Sequence, residues 1–342
     1  MNAIPDSSEI SVVVQGPIVG KGDTWNGLLT QRCLQSVRKF LPKAELILST
    51  WQGADVSGLD YDGLVHSVDP GVCVSQAPKG QNLNRLIRST SAGMERATRS
   101  FILKIRTDIE LTGTGFLTAF AQYSKKGEET FFSSRVVTWA WLTKTRGQSG
   151  IYHLSDMVHF GRREDILSLW QIPLLEKSAD ELEDAKKRYD DPRESFLSIV
   201  YAAPEQYLCL SWLNRHRSTS LPKHVTSEGR LEWERLLASN FVVLDVEQFS
   251  GKWKGGDRLT ISAWSETCGF EEWRALYRKY CDASSPGKWL DRVYWAKLTI
   301  DLLLRRVGWL ARGYSRLYHW LAPQAAGKSP MGFKAIFKAK RK

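Results

Sequence analysis

The sequence predicts an α/β fold whose mixed, mostly parallel sheet carries helices on both faces. Two observations support this prediction. Apolar runs of strand length end in turn residues, as in EISVVVQGPIVG at 9–20. Between these runs, apolar residues recur every third or fourth position, which is typical of a helix that packs on one side. Strands that alternate with helices at this spacing indicate a largely parallel sheet.

The first third of the chain holds the clearest elements. Strands are predicted at 9–20, 44–51, 64–71 and 101–111, with helices from Thr24 or Asn26 to about Leu41 and at about 81–99. The carboxyl ends of such strands lie at one edge of the sheet, where ligands bind in folds of this class. The residues expected at that edge are Gln15, Gly16, Pro17, Trp51, Asp69 and Asp108.

The middle of the chain has weaker patterns. Strands are predicted at 131–142, around 151–160 and at 241–246, with helices at 175–200 and 203–215 and a glycine-rich loop at 251–257. Pro204 fits the first turn of its helix, where a missing N–H is tolerated. This organisation predicts one catalytic domain at 1–257 and a helical region at 258–342.

The net charge of +11 is confined to the end of the chain. Residues 288–342 contain seven Lys and six Arg against two Asp, which accounts for the whole excess. A neutral body argues against a broad surface that follows nucleic-acid phosphates. We therefore expect no nucleic-acid partner.

The same basic segment has an unbroken apolar stripe of helical period that includes several Trp and Tyr. Aromatic residues beside Lys and Arg are typical of a helix that lies on an anionic membrane. A coiled coil is the rival interpretation, although acidic partners for the cations are scarce. The start of the stripe is expected to pack on the catalytic domain.

Other bulk features indicate a cytoplasmic location. Five cysteines form no CxxC pair, which is expected for a reducing compartment and argues against a disulfide scaffold or structural zinc. The sequence has no signal-like leader and no apolar run long enough to span a bilayer.

The run FILKIRTDIEL at 101–111 is the sharpest chemical feature. In one continuous strand, Lys104, Arg106, Asp108 and Glu110 would share a face. Two cations could neutralise a diphosphate, and two carboxylates could bind Mg²⁺ or Mn²⁺. The alternative is a solvated row of ion pairs at a strand end.

Five sequence blocks occur in one order: VVVQGPI at 12–18, AELILSTWQG at 44–53, SVDPG at 67–71, NLNRLIRSTSAGM at 82–94 and LKIRTD at 103–108. Together they resemble the WavE-type lipopolysaccharide-synthesis family of bacterial glycosyltransferase-like proteins. The resemblance implies a GT-A glycosyltransferase fold, a single Rossmann-like domain that binds a nucleotide sugar through its N-terminal half.

The resemblance also places Arg106, Thr107 and Asp108 where GT-A enzymes carry an Asp-x-Asp metal motif. Asp108 matches the last position, whereas Arg106 replaces the first aspartate. The expected cofactor is a divalent cation, Mn²⁺ or Mg²⁺, on Asp108 with possible help from Glu110. Alternatively, Lys104 and Arg106 take over the electrostatic role of the metal.

The donor site is expected to follow the first strand, where the resemblance implies contact with the base and ribose. Asn84, Arg85 and Arg88 lie on adjacent rows of the following helix, with Asn84 and Arg88 sharing one, and could reach the nucleotide or sugar, although arginines on a helix often form a solvated face. The predicted nucleotide-sugar-binding residues are Gln15, Gly16, Pro17, Trp51, Asp69, Asn84, Arg88, Lys104, Arg106 and Asp108.

Two carboxylates are candidates for acceptor chemistry. Glu205, at a predicted helix start, resembles the position of the base in inverting GT-A enzymes, and its helix terminus is expected to lower its pKa. Asp156, in YHLSDMVHFG, is expected to contact the acceptor. The alternatives are a first-turn glutamate that only stabilises its helix and an aspartate that only caps a turn.

These observations predict a glycosyltransferase that moves a sugar from a nucleotide-sugar donor, with a UDP-sugar favoured, to a lipid-linked or lipopolysaccharide-core acceptor. The expected location is the inner face of the bacterial cytoplasmic membrane, reached through residues 288–342. A nucleotidyltransferase and a non-catalytic membrane adaptor with a degenerate transferase domain are the alternatives.

Overall fold

The computed structural model describes residues 3–19, 29–71, 82–146, 150–176, 203–219, 225–253, 266–285, 296 and 299. One compact unit spans Met1–Leu290, and Asp291–Lys342 forms a second. The predicted helix at 175–200 lies outside the described residues from 177 onward, and so does the predicted amphipathic stretch at 288–342 except for Ala296 and Thr299.

The first half of the sheet follows the predicted alternation. Its elements are β1 (Ile10–Gln15), α1 (Leu29–Phe40), β2 (Glu45–Trp51), β3 (Gly63–Ser67), α2 (Leu83–Arg96) and β4 (Phe101–Arg106). The strands lie in the order β3-β2-β1-β4, and every pair is parallel. All six residues of β1 are buried, as expected for a central strand with both faces covered.

Helix α2 packs unusually close to this sheet because Gly93 has no side chain. A Cβ atom at Gly93 would lie 2.5 Å from Val13 Cγ1 and 2.9 Å from Ser49 Cβ. The glycine therefore lets the helix backbone approach β1 and β2 directly.

The predicted strand at 101–111 is divided in two. β4 ends at Arg106, Thr107 and Asp108 form a turn, and β5 (Ile109–Leu111) pairs with β9 (Gly251–Trp253) in a separate two-stranded sheet. The prediction of one continuous strand is wrong because the chain changes sheets at this turn. Residues 251–253, predicted as loop, supply the second strand.

The second half of the main sheet is mixed. β4 pairs antiparallel with β7 (His159–Arg162), which pairs antiparallel with β6 (Val136–Trp139), and β6 pairs parallel with β8 (Phe241–Leu244). The seven strands described in this sheet confirm the predicted mixed, mostly parallel α/β fold. The predicted strands at 131–142 and 151–160 are therefore shorter or displaced, and residues 150–158 are irregular but buried.

The remaining described helices surround this half. They are α3 (Gly115–Gln122), α4 (Arg163–Trp170), α5 (Pro204–Leu213), α6 (Ser227–Asn240), α7 (Val246–Phe249) and α8 (Phe270–Tyr280). Aromatic rings fill the core here, where the ring of Phe160 lies 5.0 Å from Phe116 and 5.3 Å from Phe120 between centroids. Helix α8 packs on α6 within the first compact unit. Among the described helices, none is both long and apolar enough to cross a bilayer.

Candidate functional site

A cavity of about 440 Å³ opens at the carboxyl ends of β1 and β4. Eight residues that the sequence assigns to the site line it: Gln15, Gly16, Pro17, Trp51, Asp69, Arg106, Asp108 and Asp156. The strand order places the ends of β2, β1 and β4 side by side, so residues from distant parts of the sequence meet at this edge.

The turn after β1 forms the base of the cavity. Gly16 has a φ of 125°, a conformation that residues with a side chain rarely adopt. Its N–H donates to the Ser49 carbonyl at 3.0 Å, while the Thr107 hydroxyl donates to the Pro17 carbonyl at 2.7 Å. The turns after β1 and β4 are therefore tied together, and both line the cavity.

Gln15 presents an amide to the same cavity. Its side chain is 3% exposed, and its Oε1 accepts a hydrogen bond from the Ser89 hydroxyl at 2.8 Å. This bond fixes the orientation of the amide. Among the described residues none accepts from its NH₂ group, which is left for an acceptor on a bound ligand.

Arg106 and Asp108 form a bidentate ion pair on the cavity wall. The guanidinium Nε donates to Oδ1 and Nη2 donates to Oδ2, each at 2.9 Å. The Trp253 indole N–H, from β9, also donates to Asp108 Oδ2 at 3.0 Å. The Asp108 side chain is only 5% exposed, whereas that of Arg106 is 36% exposed.

The predicted divalent cation does not fit this arrangement. Three donors occupy the Asp108 carboxylate, and a positive guanidinium lies against it. The part of the chain that the structure describes contains no group of three His, Cys, Asp or Glu side chains that could hold a metal. Mg²⁺ and Mn²⁺ favour several oxygen ligands, so Asp108 is a poor ligand here.

The predicted row of four charges on one face is not formed. Lys104 is fully buried, and its ammonium donates to the backbone carbonyl of Asp156 and lies 4.7 Å from the Trp170 ring centroid. Burial lowers the pKa of Lys104 to about 7. Glu110 lies in β5, with a carboxylate oxygen 3.6 Å from Arg32 Nε. Neither Lys104 nor Glu110 lines the cavity.

Helix α2 contributes a different arginine from the one predicted. Arg85 lines the cavity and makes a bidentate pair with Asp69, at 2.7 Å and 2.6 Å. Arg88 is exposed and does not line the cavity. Asn84 accepts from the backbone N–H of Leu175 and donates to its carbonyl, so its amide holds the chain after α4.

A second wall of the cavity carries two carboxyl groups. Asp156 lines the cavity beside Pro204, and Glu205 follows in the first turn of α5, 8% exposed. Burial, with a smaller contribution from the negative charge of Asp156, raises the pKa of Glu205 to about 8. The expected lowering by the helix terminus is wrong because desolvation outweighs it.

His153 lies near Glu205 without forming a hydrogen bond to it. The His153 Nε2 atom is 3.9 Å from Glu205 Oε2, and burial lowers the pKa of His153 to about 3. Its Nδ1 lies 2.6 Å from the Leu142 carbonyl, which requires the proton on Nδ1. His153 is therefore neutral, and the positive charge of nearby Lys144, which favours the ionised form of Glu205, is outweighed by burial.

Three contacts between side chains in the cavity were not predicted from the sequence. Ser89 orients Gln15, Arg85 binds Asp69, and Trp253 reaches Asp108 from more than a hundred residues away. Ser89 and Arg85 are one helical turn apart, on the face of α2 that meets the strand ends, a signal that the periodicity contained. No local sequence pattern predicts the contact between Trp253 and Asp108.

Comparison with known proteins gives one broad match. The sequence model described as WavE lipopolysaccharide synthesis matches residues 10–308. No curated protein matches this chain. Among solved structures, the chain is similar to 4-diphosphocytidyl-2C-methyl-D-erythritol synthase from Anaerococcus prevotii DSM 20548, at 10% identity over 55% of this chain and 86% of that one. Its TM-score of 0.30 supports no conclusion about this protein. The family match covers most of the sequence, and the chain belongs to the WavE lipopolysaccharide synthesis family.

Proposed function

We propose that this protein is a glycosyltransferase of the GT-A type that moves a sugar from a nucleotide-sugar donor to a saccharide acceptor in lipopolysaccharide synthesis. The observation that carries the proposal is the cavity at the strand ends, which is lined by the Gln15 amide, the turn at Gly16 and the Arg106 guanidinium. These groups suit the three parts of a nucleotide diphosphate.

The base and the diphosphate of the donor each have a matching contact in the cavity. The fixed NH₂ group of Gln15 suits a base carbonyl, and uracil offers two, which favours a UDP-sugar. The Trp51 ring at the end of β2 offers a surface for stacking. Arg106 supplies planar N–H donors of the kind that bind phosphate oxygens.

The second wall suits the acceptor. In an inverting transfer, the acceptor oxygen forms a bond to the sugar anomeric carbon while the bond from that carbon to the diphosphate breaks. A carboxylate must accept the hydroxyl proton. Asp156 lines the cavity, and burial raises the pKa of Glu205 to about 8, which favours the protonated form of Glu205 at neutral pH, so we assign this role to Asp156.

The acceptor is proposed to be lipid-linked or part of the lipopolysaccharide core, in keeping with the family. Residues 288–342, whose basic and aromatic pattern suits an anionic membrane surface, would bring the enzyme to it. This proposal rests on the sequence pattern of that segment.

Nucleotide binding is the first test. The full-length protein is titrated calorimetrically with UDP, GDP, CDP and CMP, and the same titrations are repeated with Arg85→Gln and Arg88→Gln. These arginines lie three residues apart on α2, but only Arg85 lines the cavity. We expect saturable binding of one nucleoside diphosphate, weakened about three- to tenfold by Arg85→Gln and unchanged by Arg88→Gln.

Two results would contradict the proposal. Failure of all four nucleotides to bind would remove the donor site, and equal weakening by both arginine substitutions would indicate nonspecific charge attraction. The nucleotide that binds determines which nucleotide-sugars are tested as donors. Each is incubated with the protein and truncated lipopolysaccharide, and mass spectrometry of the acceptor measures sugar transfer.

A further inference from the structure

The Asp108 carboxylate has little capacity left for a metal ion. Oδ2 accepts two hydrogen bonds, from Arg106 Nη2 and Trp253 Nε1, and Oδ1 accepts a third from Arg106 Nε. A carboxylate has about four lone-pair sites, and these three donors occupy most of them. The guanidinium would also repel a divalent cation placed beside it.

The remaining carboxyl groups of the described residues do not complete a metal site. Glu110 is carried into the separate sheet of β5 and β9, where it lies near Arg32. Asp69 is held by Arg85 through both of its oxygens. A third carboxylate, Asp156, also lines the cavity, but the described residues contain no group of three His, Cys, Asp or Glu side chains that could hold a metal ion.

Arg106 is held in a fixed orientation and still has donors to offer. Its bidentate bond to Asp108 uses two of five N–H groups, and a third faces the Met157 sulfur at 3.4 Å, a weak acceptor. The side chain is 36% exposed and lines the cavity beside Thr107 and Gly16. A cation whose position is fixed before the ligand arrives stabilises developing negative charge without reorganisation.

Trp253 completes this support from a third segment. Its indole N–H holds Asp108, and its ring lies 5.3 Å from the Trp141 ring between centroids. Asp108 and Trp253 therefore act as positioning residues for Arg106.

We propose that the cavity binds the diphosphate of its nucleotide-sugar without a divalent cation, with the Arg106 guanidinium, held by Asp108 and Trp253, in the place of the metal. This inference rests on the proposed function for the identity of the ligand. In this arrangement Asp108 positions Arg106 and does not bind a metal ion.

Metal dependence is tested directly on the full-length protein. UDP, GDP and CDP are titrated after chelator treatment, in EDTA and again in excess Mn²⁺. We expect the dissociation constant of the bound nucleotide to agree within about threefold between the two conditions, because Arg106 and not Mn²⁺ carries the phosphate contact. Electron paramagnetic resonance of Mn²⁺ with the nucleotide-free protein gives a second readout. We expect the spectrum of protein-bound Mn²⁺ to be absent or to be the same in the wild type and in Asp108→Asn.

Variants separate the guanidinium from its supports. Arg106→Lys keeps the charge beside buried Asp108, so the fold is preserved, but it loses the planar fork and should weaken nucleotide binding about tenfold. Trp253→Phe keeps an aromatic ring against Trp141 and removes one donor to Asp108, and it should weaken binding about two- to fivefold. Thermal melting checks that both variants are folded.

The outcomes distinguish this inference from the proposed function. Nucleotide binding that requires Mn²⁺, or an Mn²⁺ signal that Asp108→Asn abolishes, would overturn metal independence while leaving the glycosyltransferase proposal intact. Absence of nucleotide binding under both conditions would overturn both. Unchanged nucleotide affinity in Arg106→Lys would show that the Arg106 guanidinium does not bind the phosphates.

Discussion

The two walls of the cavity are built by different means. The first wall follows directly from the ends of β1, β2 and β4, and its charged side chains are paired, Arg106 with Asp108 and Arg85 with Asp69. The second wall comes from the irregular segment 150–158 and the start of α5, where Asp156 and Glu205 lie close enough for one charge to raise the pKa of the other group.

This difference assigns different tasks to the walls. Paired, fixed charges are suited to binding an anionic donor, because their geometry does not change when the ligand arrives. A carboxyl group that lines the cavity beside another whose pKa is raised forms an arrangement suited to proton transfer. Substitutions on the second wall should therefore affect turnover, and those on the first should affect binding.

The largest expected effect comes from Asp156→Asn. Removal of the proposed base should lower the turnover number about 10²- to 10⁴-fold, while the dissociation constant for the nucleotide stays nearly unchanged. Transfer kinetics and calorimetry on the same preparation measure the two quantities. The Lys104 contact is to the backbone carbonyl of Asp156, so the substitution preserves it.

Glu205→Gln is the matched control for this prediction. Glutamine resembles the protonated carboxyl group, so turnover near neutral pH should change by less than about threefold. The reverse result, with turnover lost in Glu205→Gln and kept in Asp156→Asn, would restore Glu205 as the base and reverse the assignment.

The sequence predicts the first wall well because local patterns determine it. Apolar strands of the right length fix β1, β2 and β4, and a parallel sheet brings the residues after them to one edge. Gln15, Gly16, Trp51 and Asp69 were therefore found in the cavity. The error at Glu110 arose because alternation cannot show that a strand ends at Arg106 and that the chain enters another sheet.

The second wall was predicted less completely because its properties depend on tertiary burial. The pattern at 204–213 identified a helix and a first-turn glutamate, for which an exposed helix terminus predicts a lowered pKa. Packing buries Glu205 and reverses the direction of the shift. Trp253 escaped prediction for a related reason, since its bond to Asp108 joins residues 145 positions apart.

A second prediction tests the rigidity of the first wall. In Gly93→Ala the new methyl group would overlap Val13 Cγ1 at 2.5 Å in the fully buried strand β1. Overpacking of this kind costs about 1–3 kcal/mol, more than the gain in helix propensity of up to about 1 kcal/mol. The free energy of unfolding from urea denaturation should fall, and nucleotide binding should weaken because α2 carries Arg85 and Ser89.

Gly161→Ala in β7 provides the comparison from the other half of the sheet. The nearest side-chain atoms would lie 3.4 Å from its Cβ, which is tight but tolerable contact. We expect a loss below about 1 kcal/mol and no change in nucleotide affinity. Equal losses for the two variants would show that the close packing of α2 on the sheet has no special importance.

The smallest expected effect is a change in the pH dependence of stability caused by Glu205. A carboxyl group whose pKa is raised from 4.5 to about 8 on folding binds more protons in the folded state. The stability that it contributes is full below the unfolded value and is lost as pH rises through the folded one. The free energy of unfolding of the wild type should therefore fall relative to that of Glu205→Gln between about pH 5 and about pH 9. Urea denaturation at both pH values measures this difference.

Glu228→Gln is the matched control, because Glu228 also occupies the first turn of a helix, α6, but is exposed. If the free energy of unfolding of the wild type instead rises relative to that of Glu205→Gln as pH rises, the helix terminus dominates over burial, and Glu205 returns to the list of ionised candidates for the base.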